Sequence, residues 1–84
     1  MAVITAAGKV FGERMRELRE KRGLTQVEVS QRTGLPQPRV SELERGARVP
    51  NLLTMIRIAV ALECKFTDLA SVFDKKGLRS FLRV

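Results

Sequence analysis

The sequence contains no histidine, no tyrosine and only one cysteine, Cys64. Without histidine there is no imidazole to act as a base or hold a metal, and a lone cysteine allows neither an intrachain disulfide nor a cysteine-based metal site. No glycine-rich phosphate loop is present either. An enzyme therefore finds no support in this chain, and neither a metal nor a cofactor is expected. Long hydrophobic runs are also missing: the longest, Ile58 to Leu62, is far too short to cross a bilayer. Residues 1–8 lack the charged start and long apolar middle of a signal peptide, so the expected location is the cytoplasm, away from membranes. Cys64 stands between apolar helix residues and Phe66, where it reads as a small buried hydrophobe rather than a reactive thiol.

The 84 residues suffice for one domain with a small core. Acidic residues are the minority: 9 Asp plus Glu stand against 16 Lys plus Arg, a formal net charge of +7, and most of the basic residues are arginine. Such a balance favours polyanions through counterion release, and the guanidinium group suits phosphates and base edges. The same charge also serves plain solubility, and charge alone leaves the two readings level.

Residues 1–8 carry no charge and no clear period, and are expected to form either a frayed N-terminal arm or a first turn ahead of the main helix. From Lys9 to about Arg22, Phe11, Met15 and Leu18 recur at helical spacing, and Gly23 stops the run. Thr25 can cap a second helix, with Glu28 placed to complete a capping box. Gly34 ends that helix after about two turns, and Leu35 before Pro36 is biased to extended backbone. A third helix is expected to begin at Pro38, because proline is favoured at the first helical position and pushes the preceding Gln37 out of helical geometry, into the capping role. Within it Val40 and Leu43 face inward, while Gln37, Ser41, Glu42 and Arg45 fall on the other side. Gly46 ends this helix, residues 47–50 form a basic loop, and Asn51 caps a fourth helix whose inward set is expected to be Leu52, Met55, Ile56, Ala59 and Leu62. Leu53 and Val60, with Arg57 between them, form a partly apolar outer stripe. A short fifth helix follows, then a break and a tail with Leu78, Phe81 and Leu82. The expected organisation is an arm over 1–8, a helical domain over 9–73 and a C-terminal extension over 74–84. Either that tail or a partner subunit can cover the outer stripe, and the sequence does not choose between them.

The stretch from Leu24 to Gly46 resembles the helix-turn-helix of the phage-repressor and Cro-like (XRE-type) family. Leu24, Thr25 and Gln26, Gly34 in the turn, the run Val40, Ser41, Glu42, Leu43, Glu44, Arg45 and Gly46, and then Pro50, Leu52, Ala59, Ala61 and Leu62 stand at that family's spacing. The likeness runs from about Phe11 to Leu69. It implies an all-α, lambda-repressor-like fold, a compact bundle of about five short helices around a central helix-turn-helix, in a prokaryotic or phage protein. It also implies that Gln37, Pro38 and Glu42 face bases with Ser41 alongside, that Gln26 and Arg45 meet phosphates, and that Arg19 pairs with Glu44 to brace the scaffold. Serine at position 30 departs from the family's usual alanine, and its hydroxyl then needs a partner. Pro38 replaces a residue that is commonly small and polar.

A helix of this kind fits the major groove of double-stranded DNA, where each base pair shows its own pattern of donors and acceptors. Glutamine can pair with adenine, Glu42 can accept from a cytosine amino group, and Arg39 can reach a phosphate or a guanine edge. If Gln37 caps the helix, Arg39, Ser41 and Glu42 remain as the main readers. Arg48 sits where the DNA backbone would pass. Two functions are weighed. One is a sequence-specific transcriptional regulator, a homodimer on a palindromic operator, with its dimer contact drawn from Leu53, Val60, Phe66, Leu69, Phe73, Phe81 and Leu82. The other is an antitoxin-type interaction module that uses the same apolar residues to grip a toxin or other protein partner, and that is compatible with binding its own promoter.

Overall fold

The computed structural model describes residues 2–73, with side chains from residue 6 onward. Five α-helices follow one another: α1 Ala2–Lys21, α2 Gln26–Thr33, α3 Gln37–Arg45, α4 Leu52–Ala61 and α5 Phe66–Ala70, with a 3₁₀ turn at Ser71–Phe73. No strand occurs among the described residues. The first helix begins at Ala2, so the uncharged segment ahead of Lys9 continues the helix instead of standing apart from it. Phe81 and Leu82, together with the rest of the tail, lie outside the described residues.

The helix ends follow from local chemistry. Thr25 Oγ1 accepts from Glu28 N at 3.1 Å while Glu28 Oε1 accepts from Thr25 N at 2.9 Å, a complete capping box. That second bond, with the help of the Thr25 hydroxyl, holds the Glu28 carboxyl below its usual range. Gly34 closes α2 in the left-handed region, at φ 80°, a conformation most side chains resist. Asn51 Oδ1 accepts from Thr54 N at 2.8 Å and starts α4. At the far end of α4, Glu63 holds the left-handed position without being glycine, at φ 52°. Two arginines secure that corner: Arg22 Nη2 donates to Glu63 O at 2.6 Å and Arg32 Nη1 to Ala61 O at 3.0 Å, placing positive charge where a helix end is negative.

The core joins all five helices through Phe11, Met15, Leu18, Val29, Val40, Leu43, Ile58, Ala59, Leu62 and Leu69, with Leu24, Leu35, Met55, Cys64 and Phe73 packed at its margin. Burial pushes the Cys64 thiol up, which keeps it protonated and suits the role of a small hydrophobe. Three expectations need correction. In α4 the inward residue is Ile58, fully buried, whereas Ile56 and Leu52 are exposed. Every position of this helix except Thr54 and Arg57 is apolar, so its period does not reveal which side faces in. Leu69, expected at a dimer contact, is wholly buried, and Phe73 is partly buried against the core. A helix of five residues is too short for periodicity to assign its faces, and Leu69 is the side chain it turns toward α1 and α4.

The crossing of α1 over α3 rests on glycine. A Cβ placed on Gly12 would lie 2.5 Å from both Leu43 O and Glu44 O, and one on Gly8 2.7 Å from Gly46 O. The absent side chains let the backbones of the two helices touch. Gly46 is doubly required: its φ is +78°, and a Cβ there would meet Lys9 at 2.8 Å.

Candidate nucleic-acid interface

One side of α3 is buried through Val40, Leu43 and Glu44; the other presents Gln37, Pro38, Arg39, Ser41, Glu42 and Arg45, exposed or half-exposed. The start of the helix differs from expectation. Pro36, not Gln37, is the cap: its carbonyl accepts from Arg39 N at 2.9 Å and Val40 N at 3.2 Å, so Gln37 and Pro38 occupy the first two helical positions. Proline is tolerated in a first turn because the amide it lacks would have no partner there, and the two bonds onto Pro36 offset the bias against helical geometry at Gln37. Gln37 makes no capping bond, and its amide remains available at the exposed tip of the helix.

The buried flank is held by charge. Arg19 Nε donates to Glu44 Oε2 at 2.7 Å and Arg19 Nη2 to Oε1 at 3.1 Å, a two-point pairing in which the glutamate side chain is 3% exposed and the arginine 13%. That hydrogen bonding raises the Arg19 guanidinium above its usual pKa despite its burial. Arg19 Nη1 also donates to Leu24 O at 2.8 Å, at the entry to α2. Gln26 Nε2 donates to Glu44 Oε1 at 3.0 Å, so the residue given a phosphate role is anchored to the same carboxylate. One glutamate therefore ties α1, the start of α2 and α3 together. The turn between α2 and α3 is fixed in a similar way: Ser30 Oγ donates to Leu35 O at 2.5 Å, which supplies the partner its hydroxyl requires.

On the exposed side the residues expected to face DNA are brought into mutual contact. Arg45 Nη1 donates to Ser41 Oγ at 2.6 Å, one turn earlier. Arg39 and Arg48 both approach Glu42. The Arg48 contact was not legible in the sequence, because its side chain returns from the loop beyond Gly46. A separate cleft of about 330 Å³, lined by Arg14, Leu18, Lys21, Arg22, Leu62, Cys64 and Asp68, shares no residue with this face.

Two helices joined by a glycine turn, the second with one face locked to the core and the other polar and presented, match a known arrangement. The helix-turn-helix family profile, HTH_3, fits residues 15–69. The chain belongs to this helix-turn-helix family of the XRE type. It is 39% identical over 67 residues to an uncharacterised HTH-type transcriptional regulator, y4dJ, of Sinorhizobium fredii, spanning 80% of this chain and 87% of that protein. A second HTH-type regulator, from Methanothermobacter thermautotrophicus, is 34% identical over 65 residues, 77% of this chain and 94% of its own length. Among solved structures, the restriction-modification controller protein C.AhdI from Aeromonas hydrophila superposes with a TM-score of 0.74 at 36% identity, over 76% of this chain and 97% of that one. An HTH_3 family transcriptional regulator from Vibrio cholerae gives a TM-score of 0.77 at 28% identity, over 90% of this chain and 42% of its own. The all-α, lambda-repressor-like bundle expected from the resemblance is the fold of this helix-turn-helix protein.

Proposed function

We propose that this helix-turn-helix protein is a sequence-specific transcriptional regulator that sets α3 in the major groove of double-stranded DNA. The observation that carries the reading is the division of α3: a face fixed by Val40, Leu43 and the Arg19–Glu44 pair, opposite a solvent-facing side that presents Gln37, Pro38, Arg39, Ser41 and Glu42. In this reading Arg45 and Arg48 lie beside the phosphate backbone, and Gln26 meets it from the start of α2. Binding to duplex DNA is expected to weaken steeply as salt rises, because each phosphate contact releases counterions. Fluorescence anisotropy at two ionic strengths checks this, and an affinity indifferent to salt would rule out the phosphate contacts.

We further propose that two copies act together on a palindromic operator, with half-sites about 34 Å apart. One α3 reads few base pairs, and doubling it about a two-fold axis supplies the specificity a single copy lacks. The supporting feature is the apolar strip along α4: Leu52, Leu53, Ile56 and Val60 are 65%, 57%, 45% and 73% exposed, with Phe66 nearby in sequence at 37%. With Leu69 in the core, this strip replaces α5 as the place for the dimer contact. Val60→Asp is expected to change the stability of the single folded chain by no more than about 0.5 kcal/mol, as exposed substitutions usually do, while turning a dimer into a monomer by sedimentation equilibrium. A variant that stays dimeric would move the contact elsewhere. The same strip supports a second reading, in which a toxin or other protein partner covers it; a stoichiometric protein recovered with the tagged chain from its native host favours that one.

A further inference from the structure

A carboxylate in the middle of a surface that approaches DNA is a liability, because it repels the phosphates on either side. At Glu42 two guanidinium groups offset it. Arg39 Nε lies 3.6 Å and Arg48 Nε 3.5 Å from the same oxygen, Glu42 Oε1. Arg39 comes from one turn earlier on α3, and Arg48 from the loop beyond Gly46, so they reach the carboxylate from opposite directions along the chain. Two positive charges and one negative leave the cluster with a net charge of +1. The other oxygen, Oε2, accepts no hydrogen bond among the described residues. The three side chains are 41%, 48% and 35% exposed, too wet for the pairs to add much to stability. What the two guanidinium groups do supply is positive charge on both sides of one carboxylate oxygen.

We propose that Arg48 is a positioning residue for base recognition. Together with Arg39 it holds Glu42 Oε1, screens its charge from the phosphates, and leaves Oε2 to accept a hydrogen bond from a cytosine amino group in the major groove. Cytosine is favoured over adenine because adenine sets its N7 acceptor beside the amino group, where it opposes a carboxylate, whereas cytosine has no acceptor at that edge. Thymine and guanine offer only acceptors on this side. Arg48 thereby acts on specificity through Glu42, beyond any contact of its own with the backbone. This inference rests on α3 being the DNA-reading helix.

The test is binding-site selection from random duplex DNA with the full chain, followed by titration of the selected site and its single-base variants. Wild type is expected to require cytosine at one position by about 10-fold, within the range of one good base contact. Arg48→Ala should flatten that preference several-fold and leave the other positions unchanged. Arg48→Lys, which keeps a cation, should restore most of it, and in a Glu42→Ala background Arg48→Ala should alter no base preference at all. Thermal melts of each variant confirm that the fold is intact. If Arg48→Ala weakens every sequence alike and the selected site is unchanged, Arg48 is a phosphate contact only and the proposal fails. It fails equally if no cytosine position responds to Glu42→Ala. Selection of no site by the wild type is a different outcome, and would remove α3 as a reading helix.

Discussion

Glu44→Ala is expected to cost about 3 kcal/mol of stability, the lower end of what breaking a buried ion pair costs. The change removes one carboxylate but leaves two donors behind: Arg19, whose side chain is 13% exposed, and the amide of Gln26. Arg19 keeps its bond to Leu24 O and a little solvent, which is why the upper end of the range does not apply. In a domain of this size a loss of about 3 kcal/mol lowers the melting temperature by roughly 15 °C. Arg16→Ala is the comparison, since Arg16 pairs with Glu20 at 3.3 Å on a surface where both side chains are more than half exposed; its effect should be close to zero. Equal melting temperatures for the two variants would show that the Arg19–Glu44 pair does not brace the fold.

Gly12→Ala reverses an ordinary rule. Alanine inside a helix is normally worth about 1 kcal/mol more than glycine. At this position the added methyl would stand 2.5 Å from two backbone carbonyls of α3, atoms that cannot rotate aside as a side chain tip can. Overpacking of this kind typically costs about 1–3 kcal/mol and outweighs the gain in helix propensity. Because the clash is with backbone, the upper end of about 3 kcal/mol applies, and the expected result is a net loss of about 2 kcal/mol by chemical denaturation, accompanied by a loss of DNA affinity measured under conditions where the variant is still folded. A variant as stable as the parent, with unchanged binding, would mean that α1 and α3 can separate freely.

Much of the fold was legible because it is written in local chemistry. The box formed by Thr25 and Glu28, the left-handed stop at Gly34, the cap at Asn51 and the inward pair Val40 and Leu43 each depend on neighbours within four residues. Reading failed where the pattern carried no contrast. Helix α4 is apolar on nearly every side, so choosing Ile56 over Ile58 was a choice between equivalents, and α5 is too short to show a period around Leu69. The place of Gln37 does not follow from the bias before proline alone, because the carbonyl of Pro36 accepts from Arg39 N and Val40 N and draws Gln37 into the helix. The part of the interface beyond reach was the long-range part. Nothing near Gly12 in the sequence announces that it touches Glu44, and nothing near Arg48 that it returns to Glu42.

The glycine contact between α1 and α3 also acts as a fulcrum. It lies against Leu43 and Glu44, toward the C-terminal end of a nine-residue helix, while Gln37 and Pro38 lie at the other end, roughly 10 Å away at about 1.5 Å per residue. A rotation of about 5° at the fulcrum therefore swings the tip by close to 1 Å, more than the range of about 0.5 Å over which a hydrogen bond holds. Substitutions on α1, remote from any base, should on this account change which sequences are preferred as well as how tightly they are held. The shift should grow toward the tip, larger at Gln37 than at Arg45.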